Sequence, residues 1–189
     1  MKDEQSLITS AKNGNNEAFG ELYDRYLPKI YRFVFLKVGR KQDAEDLTHQ
    51  VFMQAWEHIG NFEFQGFPFG SWLYRIASNA VIDYYRTFKR TFDIEAIPKE
   101  VLAHDPELES SLDSAFSIEL VRSAITKLDH DQQNVVIMRF VNDLSTKEIA
   151  DILGKSEGAV RVIQHRALKQ LKQHININGT EPRNTTQEA

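Results

Sequence analysis

Leu144-Ser145-Thr146-Lys147-Glu148-Ile149-Ala150-Asp151-Ile152-Leu153-Gly154-Lys155-Ser156-Glu157-Gly158-Ala159-Val160-Arg161 reads as two short helices joined by a tight turn. Ser145 and Glu148 stand three apart, the spacing of a capping box that satisfies the orphan N–H groups of a helix start. Gly154 suits the left-handed residue that closes such a helix, and Ser156 caps the next one. Ile149, Ala150, Leu153 and Val160 fall at inward positions, and a small Ala150 lets the two helices cross closely. This is the helix-turn-helix pattern, in which the second helix offers its early residues, from Ser156 and Glu157 onward, to base edges in the major groove. Arg161, His165, Arg166 and Lys169 then lie near one exposed face, where they can neutralise phosphates or reach base acceptors. A helical hairpin with a merely solvated basic face has the same local pattern. A helix-turn-helix alone does not separate a repressor from any other DNA binder, so the rest of the chain must decide.

Upstream, residues 115–127 and 131–141 carry helical periodicity, and the motif's second helix is expected over 156–173. Between 91 and 113 periodicity weakens, Pro98 and Pro106 appear and acidic residues dominate, which marks an interdomain linker. Further upstream, Phe19, Leu22, Tyr23, Tyr26, Ile30, Phe33 and Val34 recur at helical spacing, as do Leu47, Val51, Phe52, Ala55, Trp56 and Ile59. Asn15 or Asn16 caps the first of these helices, Pro28 should kink it, and Gly39 should end it. Asp43, Glu45 and Asp46 open the second, where the macrodipole favours negative charge. Residues 60–70 hold three glycines, a proline and four phenylalanines, and cannot continue a helix. A third helix is predicted over 71–90. The expected fold is all-α, with two small helical domains at 1–90 and 114–175, the linker at 91–113, and a disordered tail at 176–189.

The third helix and the loop before it interleave aromatic and basic side chains: Phe62, Phe64, Phe67, Trp72, Tyr74, Arg75, Tyr84, Tyr85 and Arg86. Single-stranded bases need stacking platforms and backbone-neutralising charge, worth roughly 1–3 kcal/mol per stacked base. Some of these aromatics must also be core. An extruded base offers its pairing edge, which Asn79 or the 61–67 loop, Asn61 included, can read.

The formal charge of −4 argues against a nucleic-acid partner only until its distribution is seen. Residues 91–114 carry seven acidic and one basic side chain, whereas 155–172 carry five basic residues against the single Glu157. An acidic connector hides a local basic stripe. There is no cysteine, so disulfides and thiolate metal sites are excluded. No apolar run approaches a membrane span and the first residues lack a signal peptide's order, so a cytoplasmic protein without membrane insertion is expected. Six scattered histidines and the surface carboxylates form no nucleophile, acid–base pair or metal spacing, so neither an enzyme nor a cofactor or metal site is expected.

Three separated motifs together closely resemble the extracytoplasmic-function sigma factors of the sigma-70 family. They are Asp43-Ala44-Glu45-Asp46-Leu47-Thr48-His49-Gln50-Val51-Phe52; Trp72-Leu73-Tyr74-Arg75-Ile76-Ala77 with Asn79 and Asp83; and Glu157-Gly158-Ala159-Val160-Arg161 with His165-Arg166-Ala167-Leu168. The resemblance spans nearly all of 7–174. It implies a protein that binds core RNA polymerase and directs promoter recognition, −10 melting and transcription initiation. Asp43, Asp46, Leu47, Gln50, Val51 and Phe52 match the segment docking on the clamp helices of the polymerase's largest subunit. Asn61, Phe62, Phe64, Phe67, Trp72, Arg75, Asn79, Asp83 and Arg86 match the part that opens and reads the −10 element. Ser156, Glu157, Arg161, His165, Arg166 and Lys169 match the −35 reader, whose domain also touches the polymerase flap. The acidic linker matches a segment threading toward the polymerase's RNA path, or is a plain tether. An anti-sigma factor is a further partner the resemblance admits. Where many relatives carry a basic residue two positions beyond Arg161 this chain has Ile163, a departure that breaks direct transfer of their −35 preference. A stand-alone helix-turn-helix regulator would leave the 43–52 surface and the aromatic loop unexplained. A sigma mimic that only sequesters an anti-sigma factor would not need Arg75, Asn79, Arg86, Arg161 and Arg166.

Overall fold

Asn15 begins the first long helix by accepting the Ala18 N–H on its side-chain oxygen at 3.1 Å, as a cap should. Gly39 ends that helix at φ 79°, a left-handed conformation that glycine adopts without strain. The computed structural model describes residues 3–63, 68–91 and 121–179. Along them run α1 (Glu4–Lys12), α2 (Asn16–Val38), α3 (Lys41–His58), a 3-10 turn (Ile59–Asn61) and α4 (Phe69–Thr91). After a helical stretch at 121–125 come α5 (His130–Val136), continued by a π-helical segment (Ile137–Val141), then α6 (Thr146–Leu153) and α7 (Glu157–Gly179). No strand occurs among the described residues, and the all-α expectation holds.

Pro28 does not end α2, which continues from Asn16 to Val38 around it. A proline removes one backbone donor, and the tertiary contacts of the flanking turns outweigh that single loss. The periodicity that starts at Phe19 gives no sign of α1. This helix buries Leu7, Ile8 and Ala11, and its Glu4 accepts from the Tyr26 hydroxyl at 2.8 Å and pairs with Arg25 at 3.4 Å. At the other end α7 runs to Gly179, so residues 176–179 are helical rather than tail: no proline or glycine interrupts the chain between Gly158 in its first turn and Gly179. Residues 180–189, and the linker apart from Thr91, lie outside the described residues.

Helices α1–α4 enclose Leu22, Ile30, Phe33, Val34, Val51, Ala55, Leu73, Ala77 and Val81, while α5–α7 enclose Val135, Ile137, Met138, Ile149, Val160 and Ala167. These two sets form one contiguous buried cluster. Helix α4 packs against α6, and α2 against the π-helical segment, so the two halves rest on each other.

Candidate functional site

The helix-turn-helix forms as its punctuation dictates. Glu148 Oε2 accepts from the Ser145 N–H at 2.8 Å and hydroxyl at 2.6 Å, and Ser145 Oγ accepts from the Glu148 N–H at 3.2 Å. Gly154 turns the chain at φ 63°, and Ser156 Oγ caps α7 by accepting the Ala159 N–H at 3.2 Å. With Ile149, Ala150 and Val160 buried beneath it, α7 presents Ser156, Glu157, Arg161, His165, Arg166 and Lys169 to solvent. At about 100° per residue, Arg161, His165 and Lys169 line up in one stripe, and Arg166 stands to its side. Lys172, three turns beyond Arg161 and exposed, extends the stripe; its spacing was the signal available in the sequence. Arg161 donates to Glu157 at 2.9 Å, but both side chains are largely exposed, so the pair is weak enough to yield to a phosphate. Ile163 is half-buried against the core, an apolar packing role that a basic residue would fill less well.

Arg75, Asn79, Asp83 and Arg86 are all exposed and recur at steps of four, four and three along α4, which makes one stripe. Ile82, 43% exposed, sits in the middle of it and was not singled out by the motif. Arg86 and Asp83 pair at 3.1 Å on the open surface. Arg75 instead donates to the main-chain oxygen of Asp151 on α6 at 2.9 Å. Trp72 is half-buried, its ring 5.2 Å from Phe62 and 5.5 Å from Phe69. Phe62 is itself buried, so it serves as core beneath Trp72 and offers no platform to a base. Its carbonyl accepts from Lys12 Nζ at 2.7 Å, which ties α1 to the stem of the aromatic loop. Asn61 is exposed beside it, while Phe64 and Phe67 lie outside the described residues.

On α3 the six expected contact residues divide. Asp46 and Gln50 are exposed, Asp43 is half-buried, and Leu47, Val51 and Phe52 are buried. The last three pack inward and hold α3 in the helical core so that the acidic face stays outward, with Phe52 also reaching the wall of a surface groove. Asp43 accepts from the Tyr84 hydroxyl at 2.7 Å and lies 3.6 Å from Arg40. Burial, with the Asp43 carboxylate adding to it, pushes the Tyr84 phenol well above its ordinary range. Met53, exposed seven residues after Asp46, continues the face, beside a groove of about 270 Å³ lined by Phe19, Tyr23, His49, Phe52 and Trp56.

A helix-turn-helix with an exposed basic stripe, a second exposed stripe on α4 and an acidic face on α3 define a DNA-binding protein of transcription. Residues 22–91 match the family Sigma-70 region 2, and residues 124–173 match Sigma-70, region 4. The ECF RNA polymerase sigma factor SigW of Bacillus subtilis is 30% identical over 177 residues, covering 89% of this chain and 94% of SigW. The ECF RNA polymerase sigma factor BldN of Streptomyces coelicolor is 38% identical over 168 residues, which cover 87% of this chain but 63% of BldN. The sigma factor RpoE of Bartonella quintana, solved in complex with the anti-sigma factor NepR, superposes with a TM-score of 0.70 at 25% identity, covering 85% of this chain and 98% of that one. CnrH, solved with the cytosolic domain of CnrY, shares the fold at a TM-score of 0.73 and 24% identity, covering 93% and 98% of the two chains. The chain belongs to the sigma-70 family, among its ECF RNA polymerase sigma factors, and so directs promoter recognition and transcription initiation. Sigma factors act as non-catalytic initiation factors, and no helix among the described residues is long and apolar enough to cross a membrane.

Proposed function

We propose a residue-level division of this work. The 1–90 domain docks on the clamp helices of the polymerase's largest subunit through Asp43, Asp46, Gln50 and Met53. It opens and reads the −10 element through Asn61, Trp72, Arg75, Asn79, Asp83 and Arg86, with Phe64 and Phe67 on the loop. The 114–175 domain holds the −35 duplex along Ser156, Glu157, Arg161, His165, Arg166, Lys169 and Lys172 and touches the flap, and residues 91–113 connect the two. An anti-sigma factor covers the polymerase-binding face when the protein is idle. The chain works in the cytoplasm, where polymerase and template meet, and every bond made or broken in transcription belongs to polymerase.

The observation that carries this reading is the exposed Arg75–Asn79–Asp83–Arg86 stripe on a helix whose opposite face is core. Such a helix can trap unstacked bases, and their unstacking costs a few kcal/mol per base that contacts must offset. The test is run-off transcription with bacterial core polymerase on a genomic-fragment library, with and without the chain. Discrete new starts sharing two upstream elements are expected. DNA binding by the chain with no new starts would make it a stand-alone regulator.

A further inference from the structure

Helix α1 supplies none of the proposed polymerase or promoter contacts, yet its polar ends converge on one place, the two stems of the aromatic loop. At the leading stem Lys12, in the last turn of α1, donates from Nζ to the Phe62 carbonyl at 2.7 Å. The Phe62 N–H donates in turn to the Ile59 carbonyl at 3.0 Å, which closes the 3-10 turn that carries Asn61. At the returning stem Glu4, in the first turn of α1, accepts from the Tyr26 hydroxyl at 2.8 Å. The same hydroxyl accepts from the Gly70 N–H, one of the orphan donors at the start of α4. Gly70 stands so close that a Cβ on it would lie 2.7 Å from the Tyr26 ring. Between the stems the buried Phe62 and Phe69 rings meet edge to face, their centroids 5.4 Å apart.

Seating α1 does not require these ties. Leu7, Ile8 and Ala11 are buried, and their packing on α2 holds the helix in place. Lys12 is exposed, and a single bond from such a residue adds only modestly to stability, because water competes for both of its groups. What the bond does add is position. A binding constellation works only when its groups stay within about 0.5 Å of the productive geometry, and a tie to a main-chain carbonyl secures the backbone to that degree. One rigid helix carries a tie to each stem, so the stems are also fixed relative to each other.

We propose that α1 is the positioning element of the −10 reader. Lys12 and Glu4 are positioning residues that touch no base. Lys12 acts through the Phe62 carbonyl on the turn bearing Asn61, and Glu4 acts through Tyr26 on Gly70 and hence on the start of α4, where Trp72 stands. Together they keep the two sides of the base-reading surface in one register. The proposal rests on the assignment of Asn61 and α4 to the −10 element.

The test uses the full chain with core polymerase, on a promoter found by run-off mapping and on its single-base −10 and −35 variants. Lys12→Met keeps the aliphatic stem and removes the donor; Tyr26→Phe keeps the ring and removes the hydroxyl. Each should lower the preference for the best −10 base by about five-fold, the weight of one ordinary hydrogen bond. Affinity for core polymerase and preference at −35 should not change. Lys12→Arg, which can still donate to the carbonyl, should restore most of the −10 preference. In the free chain, amide exchange should quicken at Phe62 in Lys12→Met and at Gly70 in Tyr26→Phe. Unchanged −10 preference in both variants, with Asn61→Ala losing it, would overturn the proposal. So would an equal loss at −10 and −35, which would reduce α1 to a contributor to folding. If Asn61→Ala itself leaves the −10 preference intact, the −10 assignment falls, and the amide exchange still decides whether α1 holds the stems.

Discussion

An ammonium set between a phenyl ring and an amide has lost most of its water, and Lys37 is in that position. Burial pulls its pKa from 10.5 down to about 7, against a smaller opposing pull from Asp131. Between those values the unfolded chain binds a proton that the folded chain does not, so the Lys37 contribution to stability rises with pH, by at most about 1.4 kcal/mol per pH unit. His130, lowered chiefly by its own burial and next by Lys37, acts in the same sense at lower pH. Tyr26, Tyr74, Tyr84 and Tyr85 are all shifted upward by burial and act in the opposite sense above pH 10. The window between pH 7 and 9.5 therefore isolates the lysine. Urea unfolding across it should show wild-type stability gaining on Lys37→Met as pH rises, and parallel curves would refute the assignment. Nothing in the sequence marks this residue, because a lysine in the last turn of a helix is an ordinary complement to the macrodipole. Its partner lies 97 residues away.

Elements are legible where their ends are local chemistry. The Asn15 cap, the Gly39 and Gly154 stops and the Ser145–Glu148 box each involve residues within a turn or so, and each forms as spaced. Helix α1 escaped because Asp3 makes no side-chain cap and its three buried residues gain their meaning from α2. Burial likewise turns Phe62, Leu47 and Val51 inward, since a motif gives residue types and not the direction in which they point. Helix α6 has eight residues, too few to persist without its cap and its packing. Ser145→Ala should cost about 1 kcal/mol in urea unfolding. Because Ser145 sits outside the α7 stripe, the −35 sequence preference should not change. A neutral substitution would mean that the packing of Ile149 and Ile152 alone sets the start of α6.

At the scale of the molecule, composition and the acidic connector foretell two helical halves but not that they share a buried cluster, for periodicity reveals which face is buried and never against what. That distinction also decides how promoter melting is best tested. Trp72 supports Phe62 and Phe69, so its loss would remove core packing along with any contact to a base. Asn79 is exposed, and its removal should leave the fold intact. If α4 traps unstacked bases, Asn79→Ala should bind promoter duplex with polymerase nearly as well as the wild type but form about ten-fold less open complex, a loss of about 1.4 kcal/mol. Permanganate reactivity of −10 thymines reads that step directly. On a template mismatched through the −10 element the unstacking cost has already been met, so the variant should recover most of its activity there. An equal defect on duplex and mismatched templates would assign Asn79 to initial docking and move base capture to the loop that follows Asn61.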